Sequence, residues 1–290
     1  MSITVTPRSP ALGAEITGVD LAAPLDEATL AAINRALLDH LVLVFPNQKL
    51  GDAAQIRFSE SFGELGARKR HQDRPEADDV HFGVMLVTNI RKDGKQIGSL
   101  PDGEMMFHSD GAYDTRPYKL TLLYGVDLPT TGGNTLFANM YTAYETLPDD
   151  LKRKLAGRRA RHRYYAGSVQ KDDPLGKLSG DSEHPVLIAH EETGKTALYL
   201  SRLFTYRIAG MPEDESTALL ERLFDHCERP ALIYEHVWRS GDLVVWDNRC
   251  TNHARTDFAP TERRLLRRTS VVGTAPPPAG AVTEIAEAAG

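Results

Sequence analysis

Short apolar runs separated by turn residues dominate the chain after residue 104, and they constrain its fold more than any other feature. They are MMFHSDGAY, KLTLLYGVDL, NTLFANMY, PVLIAH, TALYLS, LIYEHVW, DLVVWDN and LLRRTSVVG. Short strands with frequent turn signals favour a sandwich or barrel of β-strands. Two segments with helical spacing, YTAYETLPDDLKRKLAG and DESTALLERLFDHCERP, interrupt the series. The sequence therefore predicts a mainly β core with helical decoration.

The first hundred residues predict a scaffold that precedes this core. ITVTP and GAEITGVDL are strand-like, and DEATLAAINRALLDH has an acidic start followed by apolar residues at helical spacing. LVLVFP is an apolar run closed by proline, and AAQIRFSESFGEL returns to helical spacing. From Gly66 to Gly103 the sequence is polar and irregular, apart from VMLVTNI. For this region we predict a mobile connection that could cover a site.

The chain shows no internal boundary before its final Pro/Ala-rich stretch. No Gly/Ser linker, charge block or repeat divides the 290 residues. We therefore predict one catalytic domain over residues 1–273. The remaining segment, 274–290, has too few large apolar side chains to offset the entropy of ordering. It predicts a C-terminal tail that is disordered or loosely docked.

Charge and hydropathy argue against several classes of partner. The formal net charge is -6 and the pI is near 5.9. Nucleic acid is an unfavourable partner, because affinity for a phosphate backbone needs an excess of Lys and Arg. The N-terminus lacks a basic flank followed by an apolar run, and no segment reaches the roughly 18 to 20 apolar residues that span a bilayer. We therefore expect a cytoplasmic protein without nucleic-acid or membrane partners.

The sequence contains two cysteines, Cys227 and Cys250. Two in a chain of this length do not make a disulfide framework, so we expect reduced thiols. Cys250 stands three residues before His253, but a metal-binding cysteine usually has a second one at close spacing. We therefore interpret Cys250 as a small filler in a strand.

His108 and Asp110 stand two residues apart in FHSDGAY. On a strand this spacing places an imidazole and a carboxylate on one face, where both could bind one ion. H-x-D alone is a weak signal, because it recurs by chance and a lone histidine is more often structural. His253, in WDNRCTNHARTDF, would complete a set of two histidines and one carboxylate. Such a set binds non-haem iron and leaves adjacent coordination positions open, so we predict that these residues form a catalytic metal site.

Four arginines occur in TERRLLRRTSVVG near the end of the predicted core. Arg264 and Arg268 have the same strand parity, so both guanidinium groups could point inward from one strand. The planar guanidinium binds a carboxylate through two hydrogen bonds and stays charged when partly buried. For Arg263 and Arg267, on the opposite parity, we predict a solvated basic face.

The chain resembles the family of taurine dioxygenases and phenoxyacetate-herbicide dioxygenases. The resemblance runs from GAEITGVDL to RRTSVVG, through FGEL, HSD, LPTTGGNTLFANMYTAYETLP, HPVLIAH, FTYRIAGM and WDNRCTNH. It implies a double-stranded β-helix, or jelly-roll, core and an enzyme that uses Fe(II), 2-oxoglutarate and O2. It also implies that Arg264 and Thr135 bind the distal carboxylate of 2-oxoglutarate. Arg268 matches an arginine that lies near the substrate or co-substrate carboxylate.

The resemblance implies hydroxylation of a small, anionic organic substrate with release of succinate and CO2. Hydroxylation could instead trigger cleavage of a sulfonate, a sulfate ester or an aryloxy ether, and the ligands alone do not separate these outcomes. A catalytically silent jelly-roll binding protein is a third possibility, which the presence of all three ligands and both arginines disfavours. Retention of Asp110 argues against halogenation, which needs that coordination position. Relatives of this kind commonly form dimers or tetramers.

Substrate choice should depend on residues around the HSD motif. Where the taurine enzymes carry H-I-H after FGEL, this chain has GARKRH, which places Arg68 or His71 near their sulfonate-binding histidine. Glu104 replaces an asparagine four residues before the first metal histidine. Both features could equally be solvated; if they face the pocket, a substrate with an anionic and a cationic end would fit. The candidate substrate-binding residues are Arg68, His71, Glu104, Tyr113, Phe204 and Arg268.

Overall fold

The computed structural model describes residues 3–66, 83–99, 104–165 and 176–281. Its strands are β1 (Thr4–Pro7), β2 (Ala14–Thr17), β3 (Val42–Phe45), β4 (Met85–Thr88), β5 (Arg91–Lys92), β6 (Lys95–Gln96), β7 (Met105–His108), β8 (Tyr118–Asp127), β9 (Thr135–Asn139), β10 (Arg159–Tyr165), β11 (Leu178–Pro185), β12 (Leu187–Ala189), β13 (Thr196–Leu198), β14 (Thr205–Ile208), β15 (Ile233–His236), β16 (Leu243–Asp247), β17 (Thr251–Arg255) and β18 (Leu265–Val272). The helices are α1 (Glu27–His40), α2 (Asp52–Glu60), α3 (Met140–Glu145), α4 (Asp149–Leu155) and α5 (Glu213–Cys227), with a 3₁₀ turn at Pro230–Leu232.

Two sheets form the centre of the fold. The larger has the strand order β1-β2-β3-β16-β8-β18-β4, and the smaller has the order β15-β9-β17-β7. Neighbouring strands are antiparallel except for the parallel pair β2 and β3. Phe137 of the smaller sheet meets Trp246 of the larger one, with 5.3 Å between the ring centres. The prediction of a mainly β, jelly-roll core is confirmed.

Helices cover the outer face of the larger sheet. Asp26 begins α1 by accepting a hydrogen bond from the Thr29 backbone N–H at 2.7 Å, which satisfies one of the free amides of the first turn. The inward stripe of α1 includes Ile33 and Leu37, both buried. They share an apolar cluster with Phe45 of β3 and with residues of α2, β8 and β16. This packing leaves the opposite face of the sheet for the functional cavity.

The outer side of β18 corrects one prediction. Arg267 forms an ion pair with Asp52 of α2, donates a hydrogen bond to the Leu50 carbonyl, and lies with its guanidinium carbon 4.7 Å from the centre of the Tyr124 ring. The predicted solvated position is therefore wrong for Arg267, because α2 covers this part of the strand. The prediction is confirmed for Arg263, whose side chain is 69% exposed.

The first residues of the predicted tail contact strand β12. The Ala189 N–H donates to the Pro278 carbonyl at 3.0 Å, and the Gly280 N–H donates to the Leu187 carbonyl at 2.8 Å. Backbone hydrogen bonds of this kind dock the start of the tail onto β12 without requiring large side chains. Residues 282–290 lie outside the described part of the chain, as do 67–82 and 100–103 of the predicted connection. Among the described residues, no helix has the length and apolar character needed to cross a membrane.

Candidate active site

His108, Asp110 and His253 come together at one end of the cavity between the sheets. One ligand atom from each lies within 4.8 Å of the other two, and all three residues are buried. His253 on β17 is the register partner of His108 on β7, and their ring centres are 4.1 Å apart. Asp110 follows β7 in a turn rather than standing on the strand. The structure thus brings the three predicted residues together, but the turn, and not strand parity, places Asp110.

Both imidazoles present a nitrogen to Asp110. His108 Nδ1 lies 2.9 Å from the Met106 carbonyl oxygen, which only accepts hydrogen bonds, so Nδ1 carries the proton and Nε2 presents its lone pair. His108 Nε2 is 3.8 Å from Asp110 Oδ1, and His253 Nε2 is 3.9 Å from Asp110 Oδ2. Burial lowers the pKa of His108. For His253, burial and the nearby His108 ring together lower the pKa well below its usual value. Both rings are therefore neutral, which is the form that binds metals.

Asp110 is fixed from several directions. Its Oδ2 accepts a hydrogen bond from the Thr121 hydroxyl at 2.7 Å, and its backbone N–H donates to Asn248 Oδ1 at 3.3 Å. Arg268 Nη2 lies 3.1 Å from Asp110 Oδ1. Burial raises the pKa of Asp110, but the charge of Arg268, the adjacent imidazoles and the hydrogen bond from Thr121 outweigh this and lower it to about 2. The carboxylate is therefore ionised at neutral pH and oriented before any ligand arrives.

The donor set fits Fe(II). Two neutral imidazole nitrogens and one carboxylate on one side of an ion are the ligands of non-haem iron oxygenases, and they leave positions open for a co-substrate. The ligand atoms face a cavity rather than closing around a point, because both histidines and Asp110 line its wall. This arrangement differs from that of a structural metal site, where protein ligands fill every position.

A second group, His190, Asp247 and Cys250, also has metal-ligand atoms within 4.8 Å. Its carboxylate is already neutralised, since Arg249 Nη2 lies 2.6 Å from Asp247 Oδ2 and His190 Nε2 lies 3.0 Å from the same oxygen. Burial raises the pKa of the Cys250 thiol well above its usual value, so it is protonated. We interpret this group as a structural network that fixes the turn between β16 and β17. Cys250 lies in that turn, not in a strand, and both cysteines are free and buried.

The cavity extends from the three ligands towards Arg264. Most of its wall is apolar or aromatic, and its charged groups are arginines and one carboxylate. The lining residues are Met85, Val87, Ser99, Met105, His108, Asp110, Tyr113, Leu123, Thr135, Tyr164, Leu203, Phe204, Trp246, His253, Ala254, Arg255, Arg264 and Arg268. Such a cavity, apolar with a few convergent polar groups, is typical of a small-molecule site.

Arg264 is a buried cation at the cavity wall. It is 2% exposed, and its Nε and Nη2 donate to the Gly133 carbonyl at 3.3 and 3.2 Å. Within the described residues, no carboxylate forms an ion pair with it. Burial and the charge of Arg255 lower its pKa to about 9, so it remains charged at neutral pH. A buried, unneutralised guanidinium that faces a cavity calls for an anionic ligand.

Thr135 lies beside this cation at the start of β9 and is 3% exposed. Its Oγ1 accepts a hydrogen bond from the Trp238 indole N–H at 3.0 Å. Because an indole only donates, the Thr135 hydroxyl proton remains available to a second acceptor. The hydroxyl is therefore oriented as a donor.

Aromatic side chains form the other wall of the cavity. Tyr113 stacks on Tyr164, with 4.8 Å between ring centres, and Phe204 packs edge-on against both, at 5.1 and 5.4 Å. Phe204 also contacts the His108 ring at 5.2 Å. The predicted residues Tyr113 and Phe204 thus lie on the cavity wall beside His108. Tyr164 was not anticipated.

The remaining candidates are placed differently. Glu104 is exposed and is not among the residues that line the cavity. Arg68 and His71 lie outside the described residues. Sequence reasoning missed Arg255 and Trp238. The parity rule that paired Arg264 with Arg268 would have found Arg255, two residues after His253, whereas Trp238 reaches Thr135 from 103 positions away.

The chain matches known proteins over most of its length. Residues 4–270 match the family model described as "Taurine catabolism dioxygenase TauD, TfdA family". Pentalenolactone F synthase of Streptomyces avermitilis is 35% identical over 92% of this chain and 93% of its own length. The (S)-phenoxypropionate/alpha-ketoglutarate-dioxygenase of Sphingobium herbicidovorans is 32% identical over 93% and 94%. A crystal structure of a taurine dioxygenase from Burkholderia xenovorans superposes with a TM-score of 0.79 at 33% identity, over 95% of this chain and 93% of that one.

Proposed function

The chain belongs to the taurine catabolism dioxygenase TauD, TfdA family, and within it we propose that His108, Asp110 and His253 hold the iron. The protein is an Fe(II)- and 2-oxoglutarate-dependent dioxygenase, an oxidoreductase that also consumes O2. We further propose that it hydroxylates a small organic anion, with release of succinate and CO2. The observation that carries the assignment of residues is the convergence of the three ligand atoms within 4.8 Å on the cavity wall.

The residues of the chain position the reactants. When bound, iron and 2-oxoglutarate supply the oxidising power that activates a substrate C–H bond. Arg264 and Thr135 hold the distal carboxylate of 2-oxoglutarate, and so direct its 2-oxo end towards the histidines. Support for this comes from the absence of an ion-pair partner for Arg264 among the described residues and from the donor orientation of Thr135. The apolar wall excludes water from the reacting end.

The hydrogen bond between Thr135 and Trp238 leads to a separate prediction. Thr135→Ala should weaken 2-oxoglutarate binding by about tenfold, the lower end of the range for a hydrogen bond to a carboxylate. Trp238→Phe should weaken it by less, because it removes only the group that orients the hydroxyl. Calorimetric titration of both variants and of the double variant forms a thermodynamic cycle. In the Thr135→Ala background, Trp238→Phe should add almost nothing; additive losses would show that the indole acts independently of Thr135.

We propose an anionic substrate with an apolar body. Arg268 lies within the cavity wall, 3.1 Å from Asp110, and its side chain is 21% exposed, so one part of the guanidinium holds the metal carboxylate while another is accessible to a ligand. Tyr113, Tyr164 and Phe204 provide the apolar surface beside it. The resemblance implies that Arg68 or His71 would add positive charge near the anionic end of the substrate. Glu104, which is exposed, contributes only if it moves towards the cavity.

The alternative outcome is bond cleavage triggered by hydroxylation. A relative named for phenoxypropionate supports considering an aryloxy ether, and the residues of the cavity do not favour one outcome over the other. A panel of sulfonates, alkyl sulfates, aryloxy acids and amino-acid derivatives, scored by succinate formation and by product mass, tests the proposal. Each acid is paired with its uncharged analogue. Equal turnover of acid and analogue would remove the requirement for an anion, and no coupled succinate with any substrate would favour a silent binding protein.

We propose that the enzyme acts in the cytoplasm as one domain over residues 1–273. The two free, buried cysteines suit a reducing compartment, and the net charge of -6 disfavours a nucleic-acid partner. We propose a homodimer or tetramer, because relatives of this kind commonly form such oligomers. Light scattering on the purified protein measures the oligomeric state.

A further inference from the structure

Asn248 lies in the turn between β16 and β17 and is 1% exposed. Its backbone N–H donates to the carbonyl of Lys119 on β8 at 3.0 Å. Its own carbonyl accepts a hydrogen bond at 2.8 Å from the hydroxyl of Ser109, the residue between His108 and Asp110. The main chain of Asn248 is therefore tied to β8 and to the segment that carries two of the predicted metal ligands.

The side-chain amide of Asn248 has a defined orientation. Its Oδ1 accepts hydrogen bonds from the Trp246 indole N–H at 3.0 Å and from the Asp110 backbone N–H at 3.3 Å. Both of these groups only donate, so the amide oxygen faces them and the amide nitrogen faces the other way. There Nδ2 donates to Thr121 Oγ1 at 2.9 Å. Asn248 thus uses both ends of its amide next to Asp110.

The side-chain hydrogen bonds run in one direction towards the Asp110 carboxylate. The Thr121 hydroxyl donates to Asp110 Oδ2 at 2.7 Å, because an ionised carboxylate only accepts. Trp246, Asn248 and Thr121 therefore form a chain of donors that ends on Oδ2. None of the three is more than 1% exposed, so water does not replace these bonds. Successive hydrogen bonds in such buried surroundings strengthen one another.

We propose that Asn248 is a positioning residue for the metal site, and that it acts on Asp110 mainly through the Thr121 hydroxyl. The inference rests on the proposed function, in which Asp110 is an iron ligand. The chain of donors orients the carboxylate before the metal arrives, so binding does not have to order it. An asparagine that only stabilised the turn would affect metal binding in the same way whether or not the Thr121 hydroxyl is present.

The test measures Mn(II) binding to metal-free protein by calorimetry, because Mn(II) accepts similar ligands and no turnover is needed. Asn248→Ala should bind Mn(II) about tenfold more weakly, the lower end of the range for groups that orient a metal ligand. In a Thr121→Val background the same substitution should cost no more than about threefold, because the chain is already broken. In a Thr121→Ser background, which keeps the hydroxyl, the full tenfold loss should return.

Asn139→Ala is the matched control. Asn139 is also buried, but its side chain begins α3 by accepting a hydrogen bond from the Thr142 backbone N–H at 3.1 Å. Its loss should lower the unfolding temperature of the metal-free protein and leave the Mn(II) affinity unchanged. If Asn248→Ala does not fold, as judged by circular dichroism, Asn248→Ser replaces it, since the serine hydroxyl ends one bond short of the amide nitrogen.

Three results would overturn the inference. Unchanged Mn(II) affinity in Asn248→Ala would mean that the amide does not act on the metal site. Equal losses in the wild-type and Thr121→Val backgrounds would mean that it does not act through the hydroxyl, and an equal loss in Asn139→Ala would indicate general destabilisation. Wild-type Mn(II) affinity in Asp110→Ala would instead contradict the proposed metal site itself.

Discussion

We expect alanine at His108, Asp110 or His253 to abolish substrate-coupled succinate formation, to below about 1% of wild type. Loss of a group that merely orients a metal ligand usually costs about 10- to 100-fold, so loss of the ligand itself should cost more. Asp110→Ala should be the most severe for iron binding, because it also leaves Arg268 beside two imidazoles without the carboxylate that they share. Iron content after anaerobic reconstitution, followed by coupled turnover, measures both effects.

Two matched variants separate a ligand effect from misfolding. His40→Ala removes an imidazole at the end of α1, on the outer side of the larger sheet, and should leave iron content and turnover unchanged. Thr121→Val removes the hydroxyl that donates to Asp110 and should weaken iron binding by about 10- to 100-fold without abolishing it. Near-normal coupled activity in any one of the three ligand variants would exclude that residue from the metal site.

We expect Arg264→Ala to raise the 2-oxoglutarate requirement by about one to two powers of ten and to leave iron binding nearly unchanged. A charge-assisted hydrogen bond to a carboxylate contributes roughly 1.5 to 3 kcal/mol, which gives this range. Removing Arg264 also removes a buried cation whose pKa is lowered to about 9, so the variant should not lose stability through an unpaired charge. Calorimetric titration and the dependence of turnover on 2-oxoglutarate measure the effect.

The neighbouring Arg263 provides the control for this variant. Its side chain is 69% exposed and pairs with Asp127, so Arg263→Ala should leave the 2-oxoglutarate titration within about a factor of two of wild type, as is usual for an exposed ion pair. An unchanged titration in Arg264→Ala would mean that another residue binds the distal carboxylate of 2-oxoglutarate, and Arg268 would be the first to examine.

The strands that alternate apolar residues, or are wholly apolar, could be predicted from the sequence. β8 and β16 are examples. Each is largely buried in the larger sheet, and its run of apolar residues indicates a strand in the sequence. β10 and β11 could not, since RARHRYY and LSGDSEHP carry few apolar side chains. Their backbones pair as an antiparallel ladder, and their exposed side chains form charge pairs such as Arg159 with Glu183 at 2.8 Å, which leave no hydrophobic period in the sequence.

The residues of the site could be predicted where a sequence motif identifies them. They could not be predicted where their position or role depends on contacts with distant segments. Parity indicated that Arg264 and Arg267 point in opposite directions, but it did not indicate that α2 would bury the second of them. Likewise, spacing suggested a common face for His108 and Asp110, whereas Asp110 is held in a turn by contacts with Thr121 and Asn248. Contacts between distant segments set these positions, and a local pattern does not contain them.

The position of β17 has a consequence for how the protein matures. β17 lies between β9 and β7 in the smaller sheet, and Asp110 is bonded to Asn248, which is 138 positions later in the chain. During synthesis, His108 and Asp110 leave the ribosome long before His253, and closure of such a long loop is slow. A nascent chain therefore holds at most two of the three ligands. Iron should therefore bind only after the chain has folded completely. A chain truncated before β17 should bind no iron.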